Sequence, residues 1–198
     1  MKLKKLLTVV TFFFIILTIN NNTYSIEPNI FVQSTVNRAS QVLSNNSLKE
    51  EKIVSLQNIA KETVDIQGIG FYTLGKYRKN LNNEQKKEYI NLFEQYFLKS
   101  FASRLAEYSN PEIEVTSSEK LNENYTMVSS VLVGTDQRPE VKINWRIYTK
   151  NPDSPKIRDL IIEGLSLART QKEEFASIID SNDGDINALF SSLKDFIK

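Results

Sequence analysis

Val64–Leu105, VDIQGIGFYTLGKYRKNLNNEQKKEYINLFEQYFLKSFASRL, is an aromatic, glycine-punctuated entry followed by one long amphipathic helix. Asn82 suits the N-cap, and Gln85 three residues on can reach back to the cap's amide, so Asn-x-x-Gln reads as a capping box. From there Tyr89, Phe93, Tyr96, Phe97, Phe101, Leu105 and Tyr108 recur every three or four residues and fall on one stripe, with Glu84, Lys87, Glu88, Asn91, Glu94 and Gln95 on the other side. Pro111 sets the limit, giving a helix of about 25 residues and about 38 Å at ~1.5 Å per residue. A stripe this rich in rings either packs as ordinary core against a sheet or walls a cavity that an apolar ligand fills. From this stretch alone, ordinary core is the simpler reading.

Upstream, Pro28 opens a helix carrying Phe31 or Val32, Val36, Ala39 and Leu43, which breaks at Ser44-Asn45-Asn46. Ser47 and Glu50 form a second capping box, for a helix with Ile53, Leu56, Ala60 and Val64 on one face, ending over Asp65–Gly70. Downstream the period changes to two: Ile113 and Val115, then Tyr125–Val133, then Val141, Ile143, Trp145 and Ile147, then Ile157–Ile162. Short polar or proline-bearing links between these runs favour an antiparallel meander of about four strands. Gly164 ends the last strand. Thr170 with Glu173 then caps a helix through Phe175, Ile178 and Ile179, and Asp185 caps a final helix through Ile186, Leu189, Phe190 and Leu193. Helices, then sheet, then helices is an α+β layout.

The chain has 198 residues, 40% hydrophobic and 25% charged, which suits one globular domain. Lys2, Lys4 and Lys5 precede an apolar run from Leu6 to Ile19 that is short for a membrane span, and Thr23 and Ser25 place small residues before a cleavage point. Residues 1–25 therefore read as a signal peptide and 26–198 as the mature domain. Removing that segment takes three lysines and no acid from 25 basic and 24 acidic residues, leaving a net charge of −2. No clustered excess of Lys and Arg points to nucleic acid. Without cysteine an exported chain relies on its core rather than disulfides, which suits a bacterial periplasm.

Histidine is also absent, which removes the commonest general base and the commonest zinc ligand together. Asp159 and Glu163 remain as the one carboxylate pair worth weighing, read as sharing one face of the last strand. Four residues at ~3.3 Å each separate them by about 13 Å, against the ~5 to 9.5 Å of glycosidase pairs. They are expected to be structural, accepting backbone amides or an arginine near the sheet's end together with the Gly164 turn. Ser166 lacks a nucleophile-elbow pattern and reads as a cap or turn residue. Lys76-Tyr77-Arg78-Lys79 is the densest basic and aromatic run: a solvated turn, or a cationic rim that meets one phosphate.

Taken together, Leu74-Gly75-Lys76-Tyr77 with Glu84-Gln85, then Phe93, Tyr108, Trp145-Arg146, Asp159 and Glu163-Gly164-Leu165-Ser166-Leu167, and Phe175 downstream, resemble the MlaC family of periplasmic phospholipid-binding proteins, from about Pro28 to the C-terminus. Arg78 departs from the pattern, standing where the family usually has a second aromatic ring. The resemblance implies a soluble periplasmic carrier of glycerophospholipid in the Mla lipid-asymmetry pathway, with acyl chains in an apolar pocket between sheet and helices. It implies an outer-membrane lipoprotein complex and an inner-membrane ABC transporter with an MCE-domain protein as partners. A monomer with no cofactor and no catalytic residue is expected. The pocket is expected from Phe71, Leu74, Phe93, Phe97, Phe101, Val131, Val133, Ile143, Trp145 and Ile147, and the head-group rim from Lys76, Tyr77, Arg78 and Arg146. Two other readings stay open: a periplasmic adaptor with a solid core, and a small carboxylate-dependent hydrolase.

Overall fold

The computed structural model describes residues 25–136 and 138–198, so the expected signal peptide, residues 1–25, lies outside the described residues except for Ser25. Among the described residues the chain runs α1 (Pro28–Ser44), α2 (Lys49–Thr63), α3 (Ile66–Thr73), a 3-10 helix (Gly75–Asn80), α4 (Asn83–Leu105), β1 (Ile113–Asn122), β2 (Tyr125–Leu132), β3 (Val141–Tyr148), β4 (Lys156–Ile162), β5 (Leu165–Ser166), α5 (Leu167–Asp180) and α6 (Ile186–Ile197). The strands form one antiparallel meander in chain order, β1-β2-β3-β4-β5, the expected α+β layout with a fifth short strand added.

Local chemistry accounts for most of the boundaries. Asn82 Oδ1 accepts from the Gln85 amide at 2.9 Å and Gln85 Oε1 accepts from the Asn82 amide at 3.1 Å, so the capping box that starts α4 is closed in both directions. Of the box expected at Ser47 and Glu50 only one half forms, one residue later: the Leu48 amide donates to Glu51 at 3.3 Å, and the leucine side chain offers no acceptor in return. Thr170 does not cap α5. That helix begins one turn earlier at Ser166, whose Oγ accepts from the Arg169 amide, while Thr170 Oγ1 donates back to the Ser166 carbonyl. Glu163 and Gly164 both adopt positive φ, 48° and 83°, as the two central residues of a tight β4-β5 hairpin require.

The segment read as a helix end, Asp65–Gly70, instead starts α3: Asp65 accepts from the Gly68 amide at 2.8 Å and two glycines are tolerated inside the helix. Gly70 is there for space. A Cβ at this position would lie 2.8 Å from Phe93 Cδ1, so only glycine lets α3 press its backbone onto the ring of α4.

Strand register decides which side chains face the helices. Val128 lies opposite Trp145 and Trp145 opposite Leu160, while Thr126, Val128, Ser130, Ile143, Trp145 and Ile147 are all buried. Since side chains alternate along a strand, Val131, paired with Glu114 and Lys142, points to the other face. On the inner side α1 packs on β1 and β2, α3 and α5 pack on β4, and α4 lies among α2, α3 and α6. α4 is buried on two sides: Tyr89 and Phe93 join the main core, while Ala102 joins Leu43 of α1 and Leu56 of α2 in a small second cluster.

Candidate functional site

A cavity of about 210 Å³ lies between the C-terminal half of α4, the inner face of β3 and β4, and the first turns of α5. Phe93, Phe97 and Phe101 of α4 form one wall, spaced four apart so that their rings line up; Phe97 and Phe101 stack with centroids 5.4 Å apart and planes 10° apart. Trp145 forms the sheet wall, its indole held by a 2.8 Å bond from Nε1 to the buried Ser130 Oγ, which itself donates to the Ile143 carbonyl. With its one polar atom satisfied inside the sheet, the indole presents an apolar surface to the cavity.

Room for the cavity comes from small side chains opposite and beside the rings. Ala168 opens α5 and Ser100 interrupts the ring stripe on α4, and both line the space. Asp159 lies on the same wall, 7% exposed, with one carboxylate oxygen accepting from Ser166 Oγ at 2.7 Å and the other from the Ala168 amide at 3.1 Å. It thus holds the start of α5 against β4, where the β3–β4 register skips Arg158, a bulge that re-aims neighbouring side chains. Glu163 is not its face-mate: it lies beyond β4 in the hairpin and accepts from the Lys142 amide.

The mouth is polar. Ser100 and Arg104 on α4 meet Thr170, Gln171 and Glu174 on α5. Tyr96 Oη donates to Gln171 Oε1 at 2.8 Å and Gln171 Nε2 donates to Glu174 Oε2 at 2.9 Å, tying the two helices together. Burial pushes the Tyr96 phenol above its ordinary pKa and the Glu174 charge adds to that, while the bond to Gln171 and the Arg104 charge oppose it.

Of the ten residues expected at the pocket, Phe93, Phe97, Phe101 and Trp145 line the cavity. Leu74, Ile143 and Ile147 are buried core outside its lining, and Phe71 packs beside the core under the Arg78 guanidinium, 4.4 Å from its ring centroid. Val131 faces away, for the register reason above, and Val133 lies past the end of β2, its amide bonded to the Glu112 carbonyl. The expected rim is elsewhere too. Lys76 and Tyr77 both reach Asp180 at the end of α5, and Arg146, paired across the sheet with Met127 and Asp159, does not line the cavity and leaves its buried Nε without a partner. The mouth of this cavity is formed by residues that the sequence pattern did not single out. The one signal for it was the i, i+4 series Tyr96, Ser100, Arg104 running beside the rings on α4.

The fold is that of a solved phospholipid-binding protein from Ralstonia solanacearum in complex with a phospholipid, with a TM-score of 0.73 and 20% identity over 87% of this chain and 97% of that one. Residues 33–195 match the MlaC protein family, and the chain belongs to that family. It is 21% identical over 188 residues to the intermembrane phospholipid transport system binding protein MlaC of Haemophilus influenzae, covering 90% of this chain and 87% of that protein.

Proposed function

We propose that this protein binds glycerophospholipid by its acyl chains in the cavity between α4, α5 and the sheet, and carries it through the periplasm between an outer-membrane lipoprotein complex and an inner-membrane ABC transporter with its MCE-domain protein. The observation that carries the reading is the wall of Phe93, Phe97, Phe101 and Trp145 around an unfilled apolar space in a protein of this family. At ~0.8 kcal/mol per CH₂, two tails of about 15 carbons cost on the order of 20 kcal/mol or more to expose to water, so a carrier must enclose them. Handover at a docking surface follows, because release into water is correspondingly slow.

At about 210 Å³ the cavity is below the ~300 to 1,000 Å³ of typical small-molecule sites. Loading therefore has to widen it. Phe97 and Phe101 are only half-buried and free of hydrogen bonds, whereas Trp145 is tied to Ser130, so the α4 side yields rather than the sheet. No chemical step is invoked, since both oxygens of Asp159 are engaged in holding α5.

Solvent extraction of gently purified protein, followed by mass spectrometry, tests the proposal. Near-stoichiometric intact phospholipid is expected. Folded protein without lipid would favour an adaptor, and cleaved lipid products a hydrolase.

A further inference from the structure

The cavity mouth carries one side chain of each charge. Arg104 lies on α4, in none of the ion pairs among the described residues, and Glu174 lies on the facing helix α5. Each is accessible and neither neutralises the other within 4 Å. Ser100 is one helical turn before Arg104 on the same face, so a hydroxyl and a guanidinium donor are side by side at the edge of the apolar wall. Such a pair matches a phosphodiester, because the planar guanidinium presents parallel N–H groups to two phosphate oxygens. Glu174 is held by the relay from Tyr96 through Gln171, which keeps its carboxylate in the lining of the same cavity as Ser100 and Arg104. Both charges act on the Tyr96 phenol, Glu174 raising its pKa and Arg104 lowering it.

We infer that this mouth selects a zwitterionic, amine-bearing phospholipid head group, with Ser100 and Arg104 engaging the phosphodiester and Glu174 engaging the ammonium. The inference rests on the lipid-binding reading above and adds head-group choice to it. An ethanolamine ammonium offers Glu174 both charge and N–H donors. A glycerol head group offers neither, and its net negative lipid would meet the carboxylate as a like charge in the vicinity. Because the mouth is open to water, the discrimination is modest, about two- to five-fold, the scale of an exposed ion pair.

The test loads purified protein from vesicles holding equal amounts of phosphatidylethanolamine and phosphatidylglycerol, then counts each lipid per protein by mass spectrometry. Wild type is expected to carry two- to five-fold more phosphatidylethanolamine. Glu174→Gln should bring the ratio to that of the vesicles by lowering phosphatidylethanolamine uptake, and Glu174→Lys should invert it. Arg104→Gln should lower the uptake of both lipids, keeping the bias. Lipid bound in the vesicle ratio by wild type, or a bias untouched by Glu174→Gln, overturns the head-group inference while leaving lipid binding intact. No lipid of either kind overturns the underlying reading and this one with it.

Discussion

The two halves of α4 have the same aromatic periodicity and opposite packing. In the first half Tyr89 and Phe93 are 0% and 1% exposed. Phe190 of α6 stacks on Tyr89 at 6.2 Å, and Gly70 brings the α3 backbone onto Phe93. Tyr89 Oη donates to Thr73 Oγ1, which in turn donates to the Gly70 carbonyl, so both buried hydroxyls are satisfied. In the second half Phe97 and Phe101 stack on each other and border a gap whose other walls include Trp145, Leu160, Ala168 and Thr170. A run of rings therefore specifies which face of a helix is apolar, whereas the residues opposite decide whether that face is filled.

Truncating each half breaks or sharpens the contrast. Phe93→Ala removes a ring packed against Tyr89, Phe97 and Phe175, and should cost about 3 to 5 kcal/mol in urea unfolding. Phe97→Ala, from a half-buried position at a space already unfilled, should cost about half of that or less. Equal losses would mean that the second half is as solid as the first.

Filling the gap is the complementary test. Ala168→Leu places extra carbon in the cavity from the α5 side. In a full core such an insertion costs typically 1 to 3 kcal/mol. Here stability should change by less than about 1 kcal/mol, while the lipid-to-protein ratio from solvent extraction falls by half or more. Val131→Trp serves as the control, since its side chain leaves the sheet on the other face: lipid load should be unchanged. Loss of lipid in Val131→Trp with full load in Ala168→Leu would invert the assignment of the two faces.

Alkali distinguishes the halves by a different route. Burial raises the Tyr89 phenol well above its ordinary pKa, and Tyr96 is raised less completely because it is half exposed. A group raised on folding contributes stability that is complete below the unfolded value, ~10 for tyrosine, and is lost as pH climbs from there through the folded value. The urea midpoint should therefore hold to about pH 10 and fall above it. Tyr89→Phe should flatten that fall more than Tyr96→Phe, at a cost of about 1 kcal/mol at neutral pH for the missing bond to Thr73. A wild-type midpoint independent of pH above 10 would place both phenols in water.

The sequence made the elements legible wherever one residue type has one local use. Asn82 and Gln85 start α4, period two appears in β3, and Gly164 turns β4 into β5. Where side chains are polar on both faces the signal vanished: β1 is ten residues long, but from Thr116 onward every residue is exposed, so only Ile113 and Val115 betrayed it. α3 was hidden by its glycines: Gly70 makes room for Phe93 and Gly68 for Asp65 and Arg158, and no local pattern encodes the contacts with Phe93 and Arg158. Four ring positions of the cavity wall were readable because α4 and β3 each have a strong period. Val131 was misplaced because facing depends on pairing register, here with Lys142, and not on hydrophobicity. The mouth was missed because Arg104 and Glu174 look like any solvated helix residues until α4 and α5 are set side by side.

The smallest expected effect concerns the basic run before α4, and it tests whether charge near the cavity matters by position or by number. Lys76 sits 3.4 Å from Asp180 with both side chains mostly exposed, and Tyr77 donates to the same carboxylate, holding that carboxyl below its usual range together with Lys76. Arg78, also in the 3-10 helix, lies over the Phe71 ring of α3. Neither cation lines the cavity, and exposed pairs of this kind contribute little because water screens them. Lys76→Ala should leave lipid load, head-group ratio and unfolding midpoint within error of wild type, whereas Arg104→Gln, which removes the same single charge, should reduce lipid uptake. If Lys76→Ala lowers lipid load as far as Arg104→Gln does, the head group extends beyond the second half of α4 toward the 3-10 helix, and the division of the helix into a solid half and a cavity-lining half fails at its boundary.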